Sequence, residues 1–283
     1  MSNIQQYDYI NWKKKCKNKI KELLGYQILR PRLTSTVSVD AIKKIIKKAG
    51  LEKEENGDIS WFYTAYDRGD SDPLTNYNLD FIEQKISAQS KVLITGCGTG
   101  IMLFYLLDKG YLFVDGFDYL NECVFVANEV KKIGNYKTNI WRDDGFSPNI
   151  TNEYDLVTAM HWVFSAWMGN YGNKKFSNKE VFNQEFRNEL LDSLLKKYKK
   201  ALKSNGILIL ELTDSVADYR LESDVNYLGD SEKLMDIYPV RFSPKDVSIV
   251  AAKNQMKILD YKMCCSYGHQ PRVSYIIQSV FDA

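Results

Sequence analysis

Hydrophobic and polar residues alternate in two different ways along this 283-residue chain. Near the start, apolar positions recur at helical spacing, which predicts helices over residues 9–24 and 39–49. From residue 91 onwards, short apolar runs alternate with longer amphipathic stretches, as in a parallel sheet with helical crossovers. The predicted strands cover residues 92–95, 112–117, 139–141, 156–160 and 206–212, and the predicted helices between them cover residues 100–109, 121–133 and 182–203.

The end of the chain predicts a helix over residues 244–254 and two strands, 257–265 and 273–281, with a Gly-His-Gln-Pro turn between them. The turn makes this last pair of strands antiparallel. We therefore predict an α/β protein with a doubly wound, Rossmann-like, mostly parallel seven-stranded sheet, an antiparallel last strand and an N-terminal helical cap. The predicted divisions are a cap at residues 1–80, a catalytic domain at 81–283 and a lid insertion around 214–243.

Composition narrows the classes of function. Thirty-eight basic and 36 acidic residues give a net charge of +2, which argues against a nucleic-acid partner. The five cysteines show no CxxC spacing and are expected to be reduced thiols, and no cluster of His and acidic residues predicts a metal site. The first thirty residues lack the apolar core of a signal peptide, and no run reaches the ~18 apolar residues of a membrane span, so we expect a cytoplasmic protein without a membrane partner.

The most specific motif is the turn Gly96-Cys97-Gly98-Thr99-Gly100, which directly follows the first predicted strand. Glycines tolerate positive φ and let backbone approach a ligand closely, and the next helix can direct its N-terminal amides at that ligand. Ile101 stands where the dinucleotide fingerprint GxGxxG requires its last glycine. A nicotinamide-dependent oxidoreductase is therefore disfavoured and stays as an alternative.

The turn resembles motif I of the class I S-adenosylmethionine-dependent methyltransferases. The resemblance implies S-adenosylmethionine (SAM) as methyl donor and S-adenosylhomocysteine (SAH) as product. This chain departs from the family at Ile94, where an acid usually lies near the methionine amino group of the cofactor. Another residue must hold the methionine end, and Tyr66 and Arg68 in an aromatic cluster are candidates; the alternative for Arg68 is a surface arginine.

Asp118 follows the second predicted strand, with Tyr119 beside it. A carboxylate offers two acceptor oxygens that match the two hydroxyl groups of a ribose. The resemblance assigns the same role to Asp118, whereas the alternative is an aspartate that caps the next helix.

The third predicted strand leads into Asp143, Asp144, Gly145 and Phe146. This segment resembles the family loop in which an acid accepts the adenine amino group and an apolar neighbour lies against the ring. We prefer Asp144 to Asp143 as that acid. A paired-acid turn without a ligand is the alternative.

After the fourth predicted strand comes a segment that methyltransferases place beside the transferred methyl group. His161 is the candidate base, because histidine titrates near neutral pH, although a hydrogen-bonded structural histidine is the alternative. Met160 is a further cofactor contact. The candidates for binding the acceptor are Trp162, Trp167, Tyr171 and Asp214.

Together these features predict SAM-dependent methylation of an oxygen on a small polar acceptor, either a sugar or a phosphate-type intermediate. A weaker resemblance links the chain to small-molecule methyltransferases of bacterial surface-polysaccharide (capsule) or secondary-metabolite pathways. N-methylation of a small amine is one alternative. A catalytically silent, cofactor-binding protein of the same fold is another, and the sequence makes no prediction of oligomeric state.

Overall fold

The computed structural model describes residues 33, 35–51, 73–167, 176–177, 180, 183–214, 240–264 and 272–280. Seven helices in these ranges are numbered in chain order: α1 (Val39–Lys48), α2 (Pro73–Lys85), α3 (Ile101–Asp108), α4 (Asn121–Gly134), α5 (Val163–Trp167), α6 (Gln184–Ala201) and α7 (Pro244–Lys253). The strands of the described ranges are β1 (Lys91–Thr95), β2 (Phe113–Asp118), β3 (Ile140–Arg142), β4 (Tyr154–Ala159), β5 (Leu202–Asp214), β6 (Arg241–Phe242), β7 (Met256–Cys264) and β8 (Arg272–Ser279).

The strands form one sheet in the order β3-β2-β1-β4-β5-β8-β7. Each adjacent pair in the series β3-β2-β1-β4-β5 is parallel, whereas β8 is antiparallel to both of its neighbours, β5 and β7. The two-residue strand β6 adds a parallel pair at the carboxyl end of β5. The predicted fold class is confirmed, because the sheet is doubly wound and its last strand is antiparallel.

Helices cover both faces of the sheet, which explains why the central strands read as continuous apolar runs. Val92 and Ile94 point to the layer that contains α1, α2, α3 and α4, while Leu93 between them points to the layer of α6 and α7. Because successive strand residues face opposite sides, each central strand contributes to both cores. The carboxyl ends of β1, β2, β3, β4 and β5 therefore meet along one edge, where ligands bind in open α/β sheets.

The α1 segment is joined to the sheet-covering helices by both packing and hydrogen bonds. Ile42 and Ile46 are fully buried. Upstream, Thr36 donates through its backbone N and its Oγ1 to the carboxylate of Asp108 at the end of α3, at 2.8 and 3.0 Å. The described part of residues 1–80 upstream of α2 is thus held against the helices on this face of the sheet.

The largest difference from the predicted bounds is at the start of β5. Helix α6 ends at Ala201, and β5 starts at Leu202, earlier than predicted, because Leu202 already pairs with Tyr154 before a bulge in the ladder. Helix α2 was not predicted, since the polar residues Thr75 and Asn78 share its buried face with Leu74, Leu79 and Ile82 and weaken the apolar stripe. It also spans residue 80, where the cap was predicted to end. The predicted helix at 9–24, the turn at 268–271 and most of the 214–243 lid lie outside the described residues.

Candidate cofactor and acceptor site

The glycine loop leaves β1 in a conformation that side chains disfavour. Gly96, Gly98 and Gly100 have φ values of 61°, 54° and 89°. Positive φ costs roughly 1–2 kcal/mol for a residue with a Cβ, so the three positions favour glycine on backbone grounds alone. The amide of Cys97 donates to the carbonyl of Phe117, which ties the loop to the end of β2.

Two of these glycines also make room for aromatic rings. A Cβ on Gly96 would lie 2.3 Å from Cδ1 of Trp162, and one on Gly100 would lie 2.4 Å from Cε2 of Phe104. The far end of the Trp162 indole also lies against the second loop, since a Cβ on Gly145 would lie 2.4 Å from Trp162 Cη2. Its Nε1 donates to Thr95 Oγ1 at 3.0 Å. Trp162 thus lies between the two loops predicted to hold the cofactor.

Asp118 joins the glycine loop to the end of β2. Its Oδ2 accepts a hydrogen bond from Gly98 N at 2.8 Å, and its Oδ1 accepts one from Leu120 N at 2.9 Å. The side chain is 7% exposed. Burial raises the pKa of Asp118, while the backbone amides of Leu120, Gly98 and Tyr119 act in the opposite direction. Burial also raises the pKa of the Cys97 thiol, with a further contribution from Asp118, so Cys97 stays neutral.

The two acids after β3 are used differently. Asp143 employs both oxygens within the loop: Oδ1 accepts from Asp144 N, and Oδ2 accepts from Asn149 N and Trp141 Nε1. Asp144 accepts through Oδ1 from Phe146 N at 2.9 Å, and within the described residues its Oδ2 accepts no hydrogen bond. The geometry therefore leaves Asp144 the better placed of the two to accept a hydrogen bond from a ligand.

Aromatic rings line the region around this loop. The Phe146 ring meets Trp162 edge-on at 5.2 Å and stacks with Trp167 at 5.8 Å between centroids. Trp167 is buried and also contacts Phe242. Tyr119 is 40% exposed and lies beside the guanidinium of Arg142. Phe146 lies two residues after Asp144, and the exposed Tyr119 directly follows Asp118.

The turn after β4 has unusual backbone geometry at His161. Its φ is 65°, and Trp162 N donates across it to the carbonyl of Met160 at 2.9 Å. An i to i+2 hydrogen bond with positive φ at the central residue is the pattern of the classic γ-turn, which is rare and strained. Met160 itself is buried. The turn therefore depends on its surroundings to persist.

Those surroundings are a buried polar network from three distant segments. The fully buried carboxylate of Glu211 in β5 accepts from His161 N at 3.1 Å, from Asn78 Nδ2 at 3.0 Å and from Arg272 Nη1 at 3.0 Å. Arg272 Nη1 also lies 2.9 Å from His161 Nδ1, and Thr75 Oγ1 lies 3.1 Å from His161 Nε2. Both ring nitrogens of His161 thus contact protein side chains.

The structure brings together most of the described residues that the sequence singled out. The glycine loop, Asp118, the loop at 143–146 and Trp162 are linked by direct contacts. Tyr66, Arg68 and Tyr171 lie outside the described residues, and for Asp214 the backbone alone is described, at the end of β5. Ile94 is buried in the core, so β1 directs no carboxylate at the site from that position.

Sequence reasoning missed Thr75, Asn78, Glu211 and Arg272. One signal was present for Glu211, since it is an acid inside the apolar run of β5 and is therefore a candidate for a buried, paired charge. The described ranges hold no group of three or more His, Cys, Asp or Glu residues arranged to bind a metal. In the same ranges, no helix combines the length and apolarity needed to cross a bilayer.

Solved structures with a similar fold include SAM-dependent methyltransferases. One from Methanosarcina mazei superimposes with a TM-score of 0.51 at 16% identity, covering 71% of this chain and 98% of that chain. One from Clostridium acetobutylicum gives 0.51 at 16% identity, covering 80% and 99%. A magnesium protoporphyrin IX methyltransferase from Synechocystis PCC 6803 with bound SAH gives 0.54 at 13% identity, covering 83% and 94%.

No protein-family model matches the sequence, and no curated protein matches it either. The likeness therefore lies in the three-dimensional structure, at identities of 13–16%. It establishes that the chain has the fold of the SAM-dependent methyltransferases, as the glycine-loop motif predicted.

Proposed function

We propose that this protein is a SAM-dependent methyltransferase. The observation that carries the proposal is the 2.8 Å hydrogen bond from Gly98 N to Asp118 Oδ2, which joins the positive-φ loop after β1 to the carboxylate after β2. These two elements stand at the edge of the sheet where such folds bind nucleotides. The fold of the neighbouring structures supports the same assignment.

The donor and acceptor groups of the site fit an adenosyl group. A carboxylate has about four acceptor positions, which is more than the backbone amides of Gly98, Leu120 and Tyr119 use, so Asp118 can also accept a hydrogen bond from the ribose. Asp144 can accept from the adenine amino group, with Phe146 and Tyr119 against the ring. Cys97, Thr99 and Met160 are the remaining described cofactor contacts in this proposal, and Tyr66 and Arg68 would hold the methionine end that Ile94 cannot.

When bound, SAM supplies a methyl group activated by its sulfonium sulfur. The chain's own task is to align the acceptor with that methyl group and to exclude competing nucleophiles. The turn at His161 and Trp162 is the part of the described chain that continues from β4 into this region. His161 is the base predicted from the sequence, with a hydrogen-bonded structural histidine as the alternative, and Trp162, Trp167, Tyr171 and Asp214 remain the predicted contacts with the acceptor.

For the acceptor we propose an oxygen of a small polar molecule, either a sugar or a phosphate-type intermediate of surface-polysaccharide biosynthesis. The net charge of +2 supports a small molecule over a nucleic acid. N-methylation of a small amine is the second candidate. A panel of nucleotide sugars, sugar phosphates and amines, read by product mass, separates the two: a methyl group gained by amines alone would refute O-methylation.

The cofactor assignment is tested by calorimetric titration of SAM and SAH into the full chain. Asp118→Asn is the matched variant, because it keeps the shape of the side chain and removes its charge. NAD⁺ serves as the control ligand for the oxidoreductase alternative. Binding of SAM that Asp118→Asn weakens is the expected result, whereas binding of NAD⁺ without SAM would overturn the proposal.

A further inference from the structure

The contacts of His161 determine which of its nitrogens carries the hydrogen. Arg272 Nη1 lies 2.9 Å from His161 Nδ1. A guanidinium is always protonated and only donates hydrogen bonds, so Nδ1 must accept with its lone pair. A neutral imidazole with a bare Nδ1 carries its hydrogen on Nε2, which then donates to Thr75 Oγ1 at 3.1 Å.

Glu211 competes for the same ring nitrogen and is kept from it by Arg272. Its Oε2 lies 3.5 Å from His161 Nδ1, whereas the Arg272 guanidinium is closer to both groups, at 2.9 Å from Nδ1 and 3.0 Å from Oε2. A carboxylate beside an imidazole would favour a hydrogen on the facing nitrogen. Arg272 therefore reverses the preference that Glu211 alone would impose.

The same carboxylate also holds the backbone of the turn. Glu211 Oε2 accepts the amide hydrogen of His161, the central residue of the γ-turn, and Oε1 accepts from Asn78 on α2. Asn78 Oδ1 in turn accepts from Ser274 Oγ at 2.6 Å. One fully buried carboxylate thus links α2, β5, β8 and the turn after β4.

We propose that Glu211 and Arg272 are positioning residues that hold His161 as a neutral imidazole with its hydrogen on Nε2, on a strained turn at the edge of the site. In this arrangement His161 is a hydrogen-bond donor, and accepting a proton at Nδ1 would require Arg272 to leave. The proposal rests on the proposed function only in placing this turn beside the acceptor. His161 then acts as a hydrogen-bond donor through Nε2 and does not act as a base.

Nitrogen-15 NMR of the imidazole rings tests the proposal without any acceptor. The chain contains two histidines, so His269→Gln leaves the signals of His161 alone. At about pH 8, where an ordinary histidine with a pKa of about 6.5 is neutral, we expect the shift of an unprotonated nitrogen for Nδ1 and that of a protonated nitrogen for Nε2. A hydrogen on Nδ1, or a doubly protonated ring, in the otherwise unaltered protein would overturn the proposal.

Substitutions at Arg272 sharpen the test. Arg272→Met removes the donor and leaves Glu211 facing Nδ1, so the hydrogen is expected to move from Nε2 to Nδ1. Arg272→Lys keeps a cationic donor and is expected to keep the hydrogen on Nε2. Adding Glu211→Gln to Arg272→Met removes both charged groups that face Nδ1 and is expected to move the hydrogen towards Nδ1 less than Arg272→Met alone. An unchanged spectrum in folded Arg272→Met would contradict the proposal.

Folding and cofactor binding are followed separately in the same samples. If Arg272→Met does not fold, Thr75→Val offers the second variant: it removes the partner of Nε2 and should leave Nδ1 unprotonated, because Arg272 remains. A hydrogen on Nδ1 in Thr75→Val would also overturn the proposal. SAH titration keeps the two proposals distinguishable, since a protein that binds no SAH refutes the methyltransferase assignment whichever tautomer His161 adopts.

Discussion

Asp118 at the end of β2 and Glu211 in β5 are both buried acids, but their hydrogen-bond partners differ. Asp118 accepts hydrogen bonds from backbone amides, and in the described part of the chain it forms no ion pair. Glu211 accepts from a guanidinium, a carboxamide and a backbone amide at once. Asp118 keeps lone pairs for a ligand, whereas the oxygens of Glu211 serve protein donors.

The different hydrogen-bond partners suit Asp118 to bind a ligand and Glu211 to position other protein groups. A carboxylate that is buried without a cation keeps an unfavourable charge that a ligand can relieve. A carboxylate that is buried with a cation stabilises the arrangement around it and has little to offer a ligand. We therefore expect substitutions of Asp118 to change cofactor affinity first, and substitutions of Glu211 to change folding stability first.

The largest expected effect is that of Glu211→Gln. The substitution leaves the buried Arg272 guanidinium without its carboxylate, and breaking a buried pair in this way costs about 3–5 kcal/mol. Guanidinium chloride unfolding measures the loss. Asp118→Asn is the matched comparison and should lower the free energy of unfolding by about 1 kcal/mol. Equal losses in the two variants would remove the distinction between the two acids.

Gly96→Ala is expected to have the next largest effect. A Cβ at this position would lie 2.3 Å from the Trp162 indole, in addition to the strain of a φ of 61°. Strain and overpacking together should lower the free energy of unfolding by about 2–4 kcal/mol.

Gly110→Ala is the control for that experiment. Gly110 has a φ of 90° with nothing within 4 Å of an added Cβ, so it isolates the backbone contribution of about 1–2 kcal/mol. If Gly96→Ala is no more destabilising than Gly110→Ala in urea unfolding, Trp162 does not fill the space behind the glycine loop.

Asp118→Asn should weaken binding of SAH by about tenfold to a hundredfold. Loss of hydrogen bonds to a charged acceptor corresponds to about 1.5–3 kcal/mol, and each 1.4 kcal/mol is a factor of ten in Kd. Calorimetric titration of SAH into both proteins measures the change in Kd. An affinity equal to that of the unaltered protein would show that this carboxylate does not bind the ribose.

Asp144→Asn should weaken SAH binding less, by about fivefold, for the loss of one hydrogen bond of about 1 kcal/mol. Asp143→Asn should instead lower the melting temperature with a smaller change in affinity, because Asp143 holds its loop together. The SAH affinities and melting temperatures of Asp144→Asn and Asp143→Asn together decide which acid faces the adenine. The reverse pattern would exchange the two assignments.

The smallest expected effect is that of pH on the same binding. Because burial raises the pKa of Asp118, acidification protonates it at a higher pH than an ordinary aspartate, with its pKa near 3.9. Affinity for SAH should fall about twofold by the pH at which half of Asp118 is protonated.

Stability should change in the opposite direction in the same pH window. A raised pKa means that the folded state binds the proton more tightly than the unfolded chain, so acidification favours the folded protein through this group. Asp118→Asn lacks this contribution and should lose more stability than the unaltered protein as pH falls. Parallel melting curves of both proteins would indicate that the pKa of Asp118 is not raised.

The cofactor side of the site could be predicted because its elements are local in sequence. The glycine turn and Asp118 each follow an apolar strand directly, and parallel topology brings strand ends to one edge. The sequence did not reveal that Gly96 also makes room for Trp162, since that contact joins residues 66 positions apart. The sequence alone does not distinguish a glycine that makes room for a ligand from one that makes room for an aromatic side chain.

The network at His161 could not be predicted for a related reason. Its members come from α2, β5 and β8, and no spacing relates Asn78 to Glu211 or Arg272. Helix α2 was not predicted either, because two polar residues share its buried face with three apolar residues and weaken the amphipathic pattern. Hydrophobic periodicity does not detect buried polar residues that pair with each other, so it predicts neither α2 nor the hydrogen bond between Asn78 and Glu211.

Titration of SAH into the 283-residue chain tests most directly whether the edge formed by β1, β2 and β3 binds SAM. SAH is the product and undergoes no turnover, so the heat reports binding alone. We predict saturable binding of one SAH per chain and no binding of NAD⁺. No binding at millimolar SAH by a folded protein would contradict it.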